Sequence, residues 1–136
     1  MDVTGALDLL SLMRPANVEL SAETGLRHDA AYLRIWQPAR PDRWGVVCTP
    51  GDRWFALQVG GGFSLNHFEE DTDDEDVRRL LSNYVDLAVT YVRGDITAAK
   101  TGRLRSPRVT LPTNNGPVDL RMSVLAGFRA AITPSR

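Results

Sequence analysis

Few residues in this 136-residue chain have the type and spacing to do chemistry: two histidines, one cysteine, a triple glycine, an acidic run and a basic stretch. His28 and His67 stand 39 positions apart, and neither falls in a metal or nucleophile pattern such as H-E-x-x-H or G-x-S-x-G. His67 lies beside the acidic run, so a His–carboxylate pair is within reach; without one it reads as an ordinary surface histidine. Cys48 closes the apolar run Val46-Val47-Cys48 and reads as a small buried side chain. A reactive thiol needs a lowered pKa and an adjacent base, and the sequence offers neither. One cysteine also excludes an internal disulfide and a zinc site built on several cysteines.

Gly60-Gly61-Gly62 has the composition of a phosphate loop without its spacing. No Lys-Ser/Thr follows it, and the next segment reads as a strand, whereas anion-binding loops feed a helix N-terminus. A hairpin turn accounts for it better. The stretch Glu69-Glu-Asp-Thr-Asp-Asp-Glu-Asp76 holds seven carboxylates in eight residues. It lacks the central glycine and ligand spacing of a calcium loop. Asp73, Asp74, Glu75 and Asp76 suit the positive end of a helix dipole, and Asp74–Arg78 and Glu75–Arg79 form i, i+4 pairs. Glu69, Glu70 and Asp71 are explained by neither effect, and if they bind something, that partner is basic. The segment Lys100–Arg108 is basic but carries no aromatic stacking residue and no recognisable nucleic-acid module. Three tryptophans, Trp36, Trp44 and Trp54, fall on or beside strand candidates, and Trp54 lies on the strand face opposite Phe55 and Leu57.

The elements that must position these residues follow from periodicity. Val77, Leu80, Leu81, Tyr84, Leu87, Ala88, Tyr91 and Val92 recur at helical spacing, which predicts a helix over about Asp73–Arg93. Thr72 and Glu75 have the spacing of a capping box, and Gly94 follows the last turn. Upstream the period falls to two. Strands are predicted over Ala31–Trp36, Trp44–Cys48, Arg53–Val59 and Phe63–Phe68, with a weaker candidate at Asn17–Glu23. Pro38, Pro41 and Asp42 separate the first two strands, and Thr49-Pro-Gly-Asp52 is a tight turn. The first 13 residues form a helix with Leu7, Leu10 and Met13 on one face, ended before Pro15. Arg108–Leu111 and Val118–Met122 can pair through Asn114-Asn-Gly116, and Ser123–Ile132 has the pattern of a short helix.

Composition sets the outer limits. With 43% hydrophobic and 24% charged residues, the chain suits one globular domain over residues 1–136. No apolar stretch nears the roughly 20 residues that cross a bilayer, and the N-terminus has no signal-peptide pattern. A cytoplasmic protein is therefore expected, with no membrane and no nucleic-acid partner. The net charge of −1 hides a division. Through Val92 there are 8 basic and 15 acidic residues, a net of −7; from Arg93 onward there are 8 basic and 2 acidic, a net of +6. The expected fold is α+β: an N-terminal helix, an antiparallel meander of four to five strands packed by one long helix, and a less regular C-terminal part.

The order of features over about Arg53 to Pro112 resembles a known family. It comprises the strand Arg53-Trp-Phe-Ala-Leu, a second strand ending in Phe68 and a polar loop. A helix ending Thr90-Tyr-Val-Arg-Gly-Asp-Ile96 follows, then a basic stretch with Leu104, Pro107, Leu111 and Pro112. This is similar to small actinobacterial immunity proteins that neutralise polymorphic secreted toxins, in particular the group that includes inhibitors of NAD-degrading toxins. The resemblance implies a protein without catalysis of its own that binds a cognate toxin, and it carries over no contact residue. Joined to the residue chemistry, it makes Glu69, Glu70, Asp71, Asp73, Trp54 and His67 the candidate partner-binding residues, with no catalytic residue, cofactor or metal expected. Two other readings share the element order. One is a secretion-chaperone-like domain that binds an effector as an obligate dimer. The other is a small-ligand carrier or enzyme with a pocket drawn from His67, Tyr84 and Asp86.

Overall fold

The computed structural model describes residues 1–94, 97–99, 108–112 and 116–122. Asp2 caps the first helix, α1 (Val3–Leu12), by accepting the Gly5 N–H at 2.8 Å, and Ala6, Leu9 and Leu10 are its buried residues. Five strands follow as a meander: β1 (Ser21–Arg27), β2 (Ala30–Gln37), β3 (Arg40–Thr49), β4 (Arg53–Val59) and β5 (Phe63–Glu69). The long helix α2 (Asp74–Val92) leads to three short strands, β6 (Thr97–Ala99), β7 (Arg108–Leu111) and β8 (Val118–Met122). The eight strands of the described residues join one antiparallel sheet in the order β1-β2-β3-β4-β5-β8-β7-β6. The α+β expectation holds. The β7–β8 pair forms as expected, while 100–107, 113–115 and the helix expected over 123–132 lie outside the described residues.

Both helices lie on the same face of the sheet. On that face Leu33 and Ile35 of β2, Val47 of β3, and Phe55, Leu57 and Val59 of β4 meet Val77, Leu81, Tyr84, Ala88 and Val92 of α2. Leu9 and Leu10 of α1, with Leu111 and Leu120 of β7 and β8, complete the cluster. At about 25 cal/mol per Å² of apolar area removed from water, such a continuous core is the main favourable term in folding.

Several local expectations are corrected. The weak strand at Asn17–Glu23 is instead Ser21–Arg27, because His28 and Asp29 both take positive φ (51° and 62°) and close a two-residue hairpin from β1 to β2. Pro41 and Asp42 belong to β3 rather than separating it from β2. The pairing moves from Gln37↔Arg40 to Trp36↔Trp44, so residues 41–43 bulge out and the missing Pro41 N–H costs no ladder bond. The cap of α2 is Asp73, whose carboxylate accepts the Asp76 N–H at 2.8 Å, rather than Thr72, whose hydroxyl donates to the Glu69 carbonyl at 3.2 Å. The expected i, i+4 pairs are replaced by an Arg79–Asp76 pair one residue closer and by the Met1 amino group 3.4 Å from Asp74.

The triple glycine is the β4–β5 turn. A side chain at Gly60 would place Cβ 2.2 Å from the Asp42 carbonyl oxygen, and Gly61 takes a φ of 89°. Tyr91 of α2 donates to the Gly60 carbonyl at 2.6 Å, which ties the end of the helix to this turn.

Candidate functional site

The β4–β5 turn fixes the register of its hairpin, and the register decides what stands at the other end. Val59↔Phe63 next to the turn propagates to Ala56↔Asn66 and Trp54↔Phe68. Alternation puts Trp54, Ala56 and Gln58 on the face away from α1 and α2. There Val46, Cys48 and Ala56 are buried and packed against by Tyr32, Trp44 and Trp54, while the Arg34 guanidinium lies 4.4 Å from the centre of the Trp36 ring. Trp54 is thus half-buried, its body serving as a lid on small residues. Phe68, its cross-strand neighbour, is 74% exposed. An exposed phenylalanine beside a half-buried tryptophan is the geometry of an interface anchor, and the acidic run begins at the next residue.

The acidic carboxylates fall into three groups. Some are used locally: Asp73 caps α2, Asp76 holds Arg79, and Asp74 faces the Met1 amino group. Glu69 accepts from His67 at 2.8 Å, so the His–carboxylate pair does form. That pair belongs to the helix-covered face, where the His67 ring stands 6.3 Å from Phe55. Glu70 and Asp71 are exposed in the turn and meet no partner among the described residues; Asp71 holds a φ of 58°, which reverses the chain toward α2. The β1–β2 turn at Asp29 and the β3–β4 turn at Asp52 open at this same end of the sheet, since Ala31 pairs with Thr49 and Arg53 with Glu69. The end is acidic overall, relieved by Arg53 at 4.0 Å from Asp52.

Comparison with family models, with curated proteins and with solved structures gives no match to this chain. The site therefore rests on its own geometry.

That geometry separates the expected residues. Trp54 pairs with Phe68 across the hairpin, Glu70 and Asp71 follow Phe68 in the exposed turn, Asp73 is committed to its cap, and His67 with Glu69 turns to the other face. Phe68 is the residue that sequence reasoning missed. A signal for it existed: a hairpin centred on Gly61 must set position 68 opposite position 54.

Chemistry elsewhere is muted. Burial pushes the Cys48 thiol up to about 12 and the Tyr84 hydroxyl likewise to about 12, so both stay protonated near neutrality. Among the described residues no group of three or more His, Cys, Asp or Glu side chains is placed to hold a metal ion. A groove of about 560 Å³ runs beside α2, lined by Met13, Pro15, Asn83, Asp86, Thr90 and Pro112 among others. Its size suits a small ligand. Tyr84 is buried in the core, Asp86 lines this groove and His67 is held on β5, so the three are not gathered in one pocket. No helix among the described residues is long and apolar enough to cross a membrane.

Proposed function

We propose that this chain is a non-catalytic protein-binding domain of the immunity type, which captures a toxin with a basic surface in the cytoplasm. One observation carries the reading: Phe68, 74% exposed and opposite Trp54, is followed in the chain by Glu70 and Asp71, exposed carboxylates that meet no partner among the described residues. An aromatic anchor desolvated at the centre of a contact supplies affinity, and an uncompensated charge at its rim supplies rate and selectivity. The negative field at this end of the sheet steers a cationic partner and repels an anionic one. The resemblance over Arg53–Pro112 supports the same reading, because it contributes the hairpin and helix that build this end.

Co-expression with the protein encoded by the adjacent gene tests it. The two chains are expected to co-purify, and the toxin's effect on growth to disappear. Phe68→Asp is expected to weaken the complex by about thirtyfold or more, the scale of a hot-spot residue. Glu70→Lys with Asp71→Lys is expected to slow association and flatten its salt dependence, with a smaller effect on dissociation. A toxin that still kills, or a complex indifferent to Phe68→Asp, overturns the reading.

A further inference from the structure

At the sheet edge four strands away from β5, the geometry points to a second contact: β1 pairs with β1 of a second copy of this chain, across a twofold axis at Gly25. This goes beyond the toxin-binding reading and stands or falls separately from it.

The argument starts from the backbone. The two-residue turn at His28-Asp29 closes on Arg27↔Ala30, and a loop of that length closes on a hydrogen-bonded pair. Bonded pairs then recur at Gly25↔Tyr32, Glu23↔Arg34 and Ser21↔Trp36, so Ala22, Thr24 and Leu26 turn their N–H and C=O groups away from β2. Arg14 confirms the direction, because its guanidinium donates to the Ala22 carbonyl at 2.6 Å. That contact closes one end of the edge. The main-chain groups of Thr24 and Leu26 are left outward, with no bond outside the β1–β2 pairing among the described residues. Open edge groups of this kind are a template for another strand.

The side chains say which strand fits. Only registers that set outward residues against outward residues can form bonds between two antiparallel copies of β1. With Gly25 opposite Gly25, Thr24 faces Leu26 and Leu26 faces Thr24, which gives four main-chain hydrogen bonds. The same register sets Glu23 against Arg27 and Arg27 against Glu23, two opposite-charge cross-strand pairs on one face. The neighbouring registers are worse. Thr24 on Thr24 sets Glu23 against Gly25, and Leu26 on Leu26 sets Glu23 against Asp29. Gly25 suits the axis, because its Cβ position is already filled by the Tyr32 ring, 3.0–3.1 Å away, leaving a flat approach. Leu26, on the strand itself, is 56% exposed. The pattern is self-complementary, which is what an isologous contact requires.

An edge of this length buries less than a standard interface, so the dimer is weak and visible only as concentration rises. Sedimentation equilibrium from low-micromolar to near-millimolar chain is expected to show a reversible monomer–dimer equilibrium. Thr24→Pro removes one outward N–H without touching the β1–β2 ladder and is expected to leave a monomer throughout. Glu23→Arg alone and Arg27→Glu alone are each expected to weaken self-association about tenfold, by setting like charges in two symmetric pairs. Mixed together, the two single variants are expected to form a heterodimer, and the Glu23→Arg/Arg27→Glu double variant to recover the homodimer. The rescue needs only folded, soluble variants, so it decides the matter even if Thr24→Pro misfolds. A wild-type monomer at every concentration overturns the proposal and leaves the edge to a strand of another protein. A dimer indifferent to all four variants overturns it equally. Toxin capture is read in a separate assay, so failure here leaves the function proposed above untouched.

Discussion

On the helix-covered face of the sheet, Leu33, Ile35, Phe55, Leu57 and Val59 are sealed under α1 and α2. On the opposite face the buried apolar residues are small, Val46, Cys48 and Ala56, under the half-buried rings of Tyr32, Trp44 and Trp54. Gln58 lies 1% exposed on that second face, and among the described residues neither polar atom of its amide has a hydrogen-bond partner. The first face is built as a core should be, with apolar groups matched to apolar groups. The second tolerates an unsatisfied amide and ends in an exposed phenylalanine. The first face holds the fold together, while the second departs from the stability optimum beside the residues proposed to bind a partner.

Truncation on the helix-covered face should be the most damaging. Leu57→Ala leaves a cavity beneath α2 and is expected to cost about 3–5 kcal/mol in urea unfolding, with the m-value unchanged. A loss under 1 kcal/mol would mean that this face is not the main core.

Next in size is an alkaline transition in which each face holds one strongly shifted group. Cys48 on the second face and Tyr84 under the first are both pushed up to about 12 by burial, from ordinary values of 9.0 and 10.0. In the unfolded chain each gives up its proton at its ordinary value, while the folded chain retains it. Stability is therefore undiminished below about pH 9 and falls as pH rises toward 12. The fall begins with Cys48 and steepens once Tyr84 joins. Cys48→Ala is expected to move the onset to about pH 10, seen as melting temperature against pH. An unchanged onset would show that the thiol is not sealed by the aromatic lid.

Gln58→Met carries a smaller effect, of opposite sign. An unpartnered buried amide is a standing cost, and an apolar side chain of similar shape removes it. The variant is expected to be more stable by about 1 kcal/mol, measured by denaturant midpoint. Destabilisation would mean that the amide is satisfied, and the contrast between the two faces would lose its main support.

Much of this is legible in the sequence. The apolar stripe of α2 placed the helix to within a residue at each end, because eight apolar positions at one period overdetermine it. The β4–β5 hairpin was legible from its glycine turn. The start of the chain was harder. A His-Asp turn with both residues at positive φ carries no glycine, so the sequence pattern sets β1 four residues too early. The insertion of β8 beside β5 left no local mark, since Phe63↔Met122 and Ser64↔Arg121 are pairings across nearly 60 residues. In the site, composition flagged the acidic run and Trp54 but not which carboxylates are free. Whether Asp73 caps, Glu69 meets His67 or Glu70 stands alone depends on where the chain turns, and a positive φ at Asp71 decides that.

Phe68 gives the smallest expected effect on stability and the most direct reading of what the second face is for. Its ring stands in solvent, so Phe68→Ser removes little buried area and is expected to shift unfolding by no more than about 0.5 kcal/mol. A large exposed aromatic carried without structural benefit is a solubility liability. The Ser variant should therefore be at least as soluble as the parent while capturing the proposed partner less well. Trp54 separates the two roles. Its body covers Cys48 and Ala56, so Trp54→Ala should lower stability and partner affinity together, whereas Phe68→Ser should lower affinity alone. If Phe68→Ser instead destabilises the chain as much as Trp54→Ala does, the ring is a structural prop and the partner docks elsewhere.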